Sequence, residues 1–134
     1  MKLYPYLNLN GHCEEALNFY KSAFDGDITQ LGRYGDSPME SPDEVKDKII
    51  HGRVQFGDVI IMASDAMNEK DFTRSGDISL SIECETADQL EKVFAKMAEG
   101  GKVTMPLQDQ FWGARFGMLT DKFGIHWMFN CEKK

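Results

Sequence analysis

Two separate stretches of the chain alternate apolar and polar side chains, which is the pattern of a strand with one buried face. In residues 3–10, Leu7 and Leu9 alternate with polar neighbours. In residues 78–85, the same period places four apolar side chains on one face, namely Ile78, Leu80, Ile82 and Cys84. Each stretch predicts a strand, and the recurrence indicates that the chain repeats a structural unit.

A helix is predicted after each of these strands. Residues 12–24 carry apolar side chains at helical spacing and acids in the first turn, where the helix dipole favours them. Thr86 and Gln89 form a capping box ahead of a second apolar stripe, and Gly100-Gly101 ends that stripe. The two helices therefore take equivalent places in the two halves of the chain.

Three further strands are predicted after each helix. They fall at 27–34, 49–56 and 59–64 in the first half, and at 103–107, 112–119 and 125–130 in the second half. Each half is thus a βαβββ module. We expect a single α+β domain, residues 1–134, with modules at 1–66 and 76–134 and a linker at 67–75. Each module leaves one sheet face uncovered, so the two bury more apolar surface together than apart.

Charge and cysteine content limit the kinds of partner. The 134-residue chain has a formal net charge of -7, which repels polyanions, so neither a nucleic acid nor a membrane is expected as a partner. Three cysteines without CxxC spacing favour reduced thiols and a cytoplasmic protein over a disulfide framework or a zinc site. The alternative for Cys13 is a reactive thiol, because it lies near a predicted helix N-terminus.

Several short motifs repeat a pattern found in known proteins. They lie at residues 6–11 (YLNLNG), 14–20 (EEALNFY), 57–58 (GD), 100–107 (GGKVTMPL), 111–113 (FWG), 116–117 (FG) and 121–127 (DKFGIHW). In these motifs the chain resembles the vicinal-oxygen-chelate superfamily of glyoxalases, bleomycin-resistance proteins and dioxygenases, and especially its PhnB-like branch. The resemblance implies eight strands in two cup-shaped mixed sheets, a homodimer that shares modules, and a small-molecule ligand in the cup.

The resemblance also implies positions for a divalent metal, because metal-dependent members take two ligands from each module. In this sequence those positions fall near Tyr4, Met62, Ser79 and Met128. Phenol, hydroxyl and thioether groups are poor ligands for hard divalent ions. We therefore expect no cofactor, and a protein that binds a small molecule without the superfamily's metal.

Two alternatives remain open at this point. The first is an enzyme of the lyase, dioxygenase or thiol transferase type with a relocated metal site at His51, Glu83 and His126, since two imidazoles and a carboxylate can hold a divalent metal. The second treats the aromatic end of the chain as a dimer interface only. Methyl transfer, a label given to some similar proteins, is not expected, because the first strand is followed by one glycine, Gly11, rather than a glycine-rich nucleotide loop.

The candidate ligand-binding residues are polar or aromatic side chains that the strand pattern or the resemblance places in the cup. Arg115 would bind a carboxylate or phosphate, because a guanidinium fork matches such anions; alternatively it is a structural or interface residue. Residues 35–48 form either a lid or a solvated loop. The candidate set is Tyr6, Asn8, His51, Met62, Ser79, Ser81, Trp112, Arg115, Phe116 and His126.

Overall fold

The computed structural model describes residues 1–38, 40–67 and 74–132. The chain divides into two compact units, residues 1–73 and residues 74–134. Most of the predicted linker, 67–75, falls on residues 68–73 and so lies outside the described residues. Among the described residues, neither helix has the length and apolar content needed to cross a membrane.

The first unit is a four-stranded mixed sheet with one helix. Its elements are β1 (Tyr6–Leu9), α1 (Cys13–Phe24), β2 (Asp27–Arg33), β3 (Ile49–Phe56) and β4 (Val59–Asp65). The strand order is β1-β4-β3-β2, in which β1 and β4 are parallel and the other pairs are antiparallel. Two short 3-10 helices lie in the loop between β2 and β3.

The second unit repeats this topology. Its elements are β5 (Leu80–Glu83), α2 (Ala87–Ala98), β6 (Lys102–Asp109), β7 (Ala114–Thr120) and β8 (His126–Glu132). The strand order is β5-β8-β7-β6, again with one parallel pair, β5 and β8. The predicted α+β class with two βαβββ modules is confirmed.

Each helix buries its apolar stripe, which the sequence places at helical spacing. The stripe of α1 consists of Cys13, Ala16, Leu17, Tyr20 and Ala23, and that of α2 of Leu90, Val93, Phe94 and Met97. The capping box is also present, because Thr86 Oγ1 accepts a hydrogen bond from the Gln89 N–H at 3.1 Å. Such a cap stabilises the helix start by about 1 kcal/mol.

Each unit contains a buried aspartate at the end of a strand, Asp65 at the end of β4 and Asp121 directly after β7. Asp65 accepts hydrogen bonds from the N–H groups of Cys13 and Ile49, both at 2.9 Å, and so ties the start of α1 to β4. Asp121, in the turn between β7 and β8, accepts from the N–H groups of Phe123 and Ile125. These bonds satisfy backbone donors that would otherwise be buried without partners.

Several strand boundaries differ from the sequence expectation; the fifth strand, for example, begins at Leu80 rather than at residue 78, and Ile78 is exposed. The first strand begins at Tyr6 rather than at residue 3, because Pro5 has no N–H to donate to the sheet. The seventh begins at Ala114 rather than at residue 112. Residues 111–113 instead form a turn in which Gly113 has φ +87 and its N–H donates to the Gln110 carbonyl at 3.1 Å.

Candidate functional site

Each sheet has a face opposite its helix, and most of the candidate residues lie on these two faces. On β4, for example, Ile61, Ala63 and Asp65 are buried beneath α1, whereas the alternate residues are half-buried. The first open face consists of Tyr6, Asn8, Asp27, Gln30, His51, Arg53, Gln55, Ile60, Met62 and Ser64. The second open face consists of Ser81, Glu83, Lys102, Met105, Gln108, Phe116, Met118, Thr120, His126, Met128 and Asn130.

A row of four paired residues crosses the first open face. Gln30 pairs with Arg53, Arg53 with Met62, and Met62 with Tyr6. Directly paired residues have Cβ atoms about 5 Å apart and point to the same side of a sheet. The row therefore joins an amide, a guanidinium, a thioether and a phenol.

The other two candidates of the first unit flank this row. The ring of His51 lies 6.1 Å from the ring of Tyr6, centroid to centroid. Asn8 pairs with Ser64 on β4. The structure thus brings together Tyr6, Asn8, His51 and Met62 on one face.

Arg53 belongs to this face as well, although it is not among the sequence candidates. Its Nε atom is buried and has no hydrogen-bond partner among the described residues. Its Nη2 donates to the sulfur of Met62 at 3.7 Å. By contrast, Arg33 on the same sheet pairs with Glu14 at 2.8 Å. The period-two pattern that places His51 on the open face also places Arg53 there, so the signal is present in the sequence.

The centre of the second open face is lined by methionines. Met105 pairs with Met118, Met118 with Met128, and Met128 with Ser81. Met118 and Met128 are half-buried, and Met105 on the edge strand is more exposed. Methionine is flexible and polarisable, so such a row forms an adaptable apolar surface.

Polar side chains on either side of this row are held by hydrogen bonds. Asn130 Nδ2 donates to both carboxylate oxygens of Glu83, at 2.8 and 2.7 Å. On the other side, Thr120 Oγ1 and His126 Nδ1 lie 2.8 Å apart. Ser81 lies within the second open face, and Ser79 is exposed just ahead of β5. The polar groups therefore have fixed positions around an apolar centre.

An aromatic cluster lies at one end of the second open face. Phe116 lies on β7, and Trp112 lies in the turn before it, with ring centroids 5.9 Å apart at 67°. Phe111 meets Trp112 edge to face at 5.2 Å. Trp112 is 53% exposed and Phe111 is 97% exposed, so the cluster presents apolar surface outward.

Arg115 lies on the helix side of the second sheet. It pairs with Cys131, a buried residue on that side. Its guanidinium binds Glu91 of α2 at 2.7 Å and Asp109 of β6 at 3.2 Å. These carboxylates raise the pKa of Arg115 and occupy its donors. The structure therefore supports the structural alternative for Arg115 rather than a place among the ligand residues.

The side chains at the implied metal positions do not fit a hard divalent ion. Met62 and Met128 offer thioethers, and the Arg53 guanidinium lies 3.7 Å from the Met62 sulfur. That guanidinium brings positive charge where a metal cation would sit. Within the described residues, no group of three or more His, Cys, Asp or Glu side chains could hold a metal ion.

The structure does not assemble the relocated metal site either. Glu83 pairs with Asn130, and His126 lies four residues earlier on the same strand. At about 3.3 Å per residue, that separation is about 13 Å. The Glu83 carboxylate is instead held by Asn130 at 2.8 and 2.7 Å, so the structure does not bring Glu83 and His126 together as ligands of one ion.

Cys13 is not a reactive thiol in this structure. Its side chain, at the first residue of α1, is fully buried. Burial, with the nearby carboxylates of Asp65 and Glu14, raises its pKa from 9.0 to about 12. The thiolate is the nucleophile in cysteine chemistry, so the helix dipole at this N-terminus does not make Cys13 reactive.

The loop between β2 and β3 contains an open depression of about 330 Å³. It is lined by Gly35, Glu40, Ser41 and Lys46, none of which belongs to either open face. The depression is mostly polar. It is therefore a feature of the loop rather than part of the candidate site.

The two mixed sheets define the class of protein. The glyoxylase/bleomycin resistance protein/dioxygenase domain from Frankia sp. EAN1pec has the same fold, with a TM-score of 0.67 at 14% identity; the match covers 100% of this chain and 93% of that one. An identity this low shows the fold alone. The chain therefore has the fold of that domain, two mixed sheets that each carry one helix.

Nearer relatives narrow the class to a family. The chain is 41% identical to protein PA1353 from Pseudomonas aeruginosa, with a TM-score of 0.88 over 100% of this chain and 99% of that one. It is 32% identical to the PhnB protein from Bacillus cereus, with a TM-score of 0.83 over 98% and 99%. A family model described as 3-demethylubiquinone-9 3-methyltransferase matches residues 1–129. The chain belongs to this PhnB-like family.

Proposed function

We propose that this protein binds a small organic molecule against the open faces of its sheets, without the superfamily's metal. The observation that carries the proposal is the second open face, where a methionine row and Phe116 form an apolar centre between hydrogen-bonded polar groups. Binding sites for small molecules are mostly apolar, with a few well-placed polar groups. The protein would bind or sequester its ligand rather than transform it.

The proposed ligand-binding residues are the sequence candidates on or beside the open faces. Trp112 is included because its ring meets Phe116, and Arg115 is left out because its guanidinium is taken up by two carboxylates. The set is Tyr6, Asn8, His51, Met62, Ser79, Ser81, Trp112, Phe116 and His126.

The neutral fluorescent probe N-phenylnaphthylamine tests this proposal, because its emission rises in apolar sites. We expect saturable binding to the wild-type protein. Met118→Glu should weaken binding by about tenfold or more, because it places a carboxylate in the apolar centre. Ile78→Glu, at an exposed apolar residue outside both open faces, is the matched control and should bind as the wild type does. Equal binding by Met118→Glu and wild type would contradict the proposal.

Two findings favour binding over the activities that relatives suggest. A metal-dependent lyase, dioxygenase or thiol transferase lacks support, because the structure does not bring Glu83 and His126 together as ligands of one ion. The methyl transfer named in the family description lacks support as well, because both sheets are mixed four-stranded sheets. Glycine-rich nucleotide loops belong instead to doubly wound parallel sheets.

The proposal also includes a cytoplasmic homodimer with modules at 1–66 and 76–134 joined by the linker at 67–75. The dimer is supported by the exposed aromatic turn of Phe111 and Trp112, since exposed apolar patches mark interaction surfaces. A cytoplasmic location is supported by three free, buried cysteines. Sedimentation of wild type and Phe111→Ser tests the dimer, and a wild-type monomer would refute it.

A further inference from the structure

We infer that the first open face binds an oxyanion through Arg53, so that the ligand carries a carboxylate or phosphate group. This inference rests on the proposed function and names the chemical class of its ligand. Its starting point is the row Gln30, Arg53, Met62 and Tyr6, which crosses all four strands of the first sheet.

The guanidinium of Arg53 has donors to offer. Nε has no hydrogen-bond partner among the described residues, and Nη2 reaches a thioether, a weak acceptor, at 3.7 Å. Nε and Nη2 share one edge of the guanidinium, and their N–H bonds are parallel. Such an edge matches the two oxygens of a carboxylate or phosphate and binds them with two charge-assisted hydrogen bonds.

Two other arginines of the chain, by contrast, are paired with carboxylates. Arg33, on the helix side of the same sheet, is bound by Glu14, and Arg115 is bound by Glu91 and Asp109. In the part of the chain that the structure describes, no carboxylate forms an ion pair with Arg53. A half-buried guanidinium without an anionic partner favours an anion that arrives with the ligand.

The side chains around Arg53 are compatible with a bound anion. Gln30 and Tyr6 lie in its row, and His51 lies two residues away on the same strand. All three can donate a hydrogen bond to an oxyanion. Asp27 is the acidic residue of β2 on this face. It pairs with Gln55, which lies two residues from Arg53 along β3, so Asp27 is not directly opposite Arg53.

Met62 lies beside the guanidinium of Arg53. Its sulfur is 3.7 Å from Nη2, one of the two donors that an oxyanion would use. Methionine has three rotatable bonds, so the thioether can move aside at small cost. Met62, the position at which the resemblance places a metal ligand, therefore lies beside the positive charge of Arg53. This charge favours an anion at that position and disfavours a metal cation.

The experiment measures binding of benzoate, phenyl phosphate and the neutral analogue benzamide to the full chain by isothermal titration calorimetry. We expect wild type to bind at least one of the two anions more tightly than benzamide. The stronger anion identifies the source of the charge as carboxylate or phosphate. Arg53→Gln should lose about 10- to 100-fold in affinity for that anion, the range for hydrogen bonds to charged groups, and should bind benzamide unchanged.

Two further variants separate a binding role from a structural one. Arg33→Gln removes an arginine from the other face of the same sheet and should bind the anion as wild type does. Arg53→Lys keeps the charge but loses the Nε–H and the fork, so it should recover only part of the affinity. The Nε–H signal of Arg53 in an NMR spectrum, assigned by its absence in Arg53→Lys, should shift when the anion is added to wild type.

The outcomes separate this inference from the proposed function. If wild type binds the neutral naphthylamine probe but does not prefer either anion over benzamide, the oxyanion site is refuted and small-molecule binding stands. Equal anion affinity in Arg53→Gln and wild type also refutes it. If neither the neutral probe nor any of the three aromatic compounds binds, both the inference and the proposed function fail. If Arg53→Gln unfolds, the lysine variant and the NMR shift decide.

Discussion

Replacing Asp121 with alanine should destabilise the second unit strongly. The Asp121 side chain is 3% exposed. It accepts hydrogen bonds from the backbone N–H groups of Phe123 at 2.9 Å and Ile125 at 3.0 Å, and from the indole N–H of Trp127 at 2.9 Å. In the alanine variant, three donors lose their acceptor at the turn that leads into β8, the strand that carries His126.

The magnitude follows from the number of donors. A buried donor without a partner costs about 1–3 kcal/mol. Three such donors together would cost about 3–9 kcal/mol, and relief from water in the vacated space leaves an expected loss of about 3–5 kcal/mol. Asp121→Asn keeps one carbonyl oxygen but directs an NH₂ group at a donor, so we expect a smaller loss of about 1–3 kcal/mol.

Urea unfolding followed by far-ultraviolet circular dichroism measures these losses. Asp58→Ala, at an exposed aspartate in the turn between β3 and β4, is the matched control and should change the unfolding free energy by less than about 0.5 kcal/mol. A loss below about 1 kcal/mol in Asp121→Ala would show that the three hydrogen bonds do not stabilise the turn.

Two other predictions concern buried groups. Burial raises the pKa of Cys13 to about 12 and that of Cys84 to about 11, so these two thiols should react with a disulfide reagent at pH 8 far more slowly in native than in unfolded protein; fast reaction of Cys13 or Cys84 in native protein would contradict this. Because these folded pKa values exceed the ordinary 9.0, their contribution to stability is present below pH 9 and is lost as the pH rises through the folded values. Gly117→Ala should lower the unfolding free energy by about 1–3 kcal/mol, because its Cβ would lie 2.9 Å from side-chain atoms of Leu107 and Phe94; an unchanged urea midpoint would refute that packing.

The fold could be predicted from sequence because its signals are local. Alternation in 78–85 and the capping box at Thr86 specify a strand and a helix start without help from distant residues. The boundary at Trp112 could not be predicted in this way, since the aromatic run continues the apolar pattern of β7. Gly113, with φ +87, closes a turn there, and that conformation depends on pairing between β6 and β7.

The candidate site was harder to predict, because side-chain partners are not local. Arg115 and Arg53 each lie among apolar strand residues, and the sequence favours the former because aromatic residues surround it. The structure shows that Glu91, from α2, and Asp109 bind Arg115. Arg53 has no such partner among the described residues, and this difference becomes visible only once the strands and helices are assembled.

The most direct test of the account is native mass spectrometry of gently purified protein, with metal analysis of the same sample. The account predicts a substoichiometric metal content and a retained small organic molecule, with an anionic group, that Arg53→Gln retains less well. A near-stoichiometric divalent metal in each chain would contradict the account, because the open faces would then hold a cation where we place an anion.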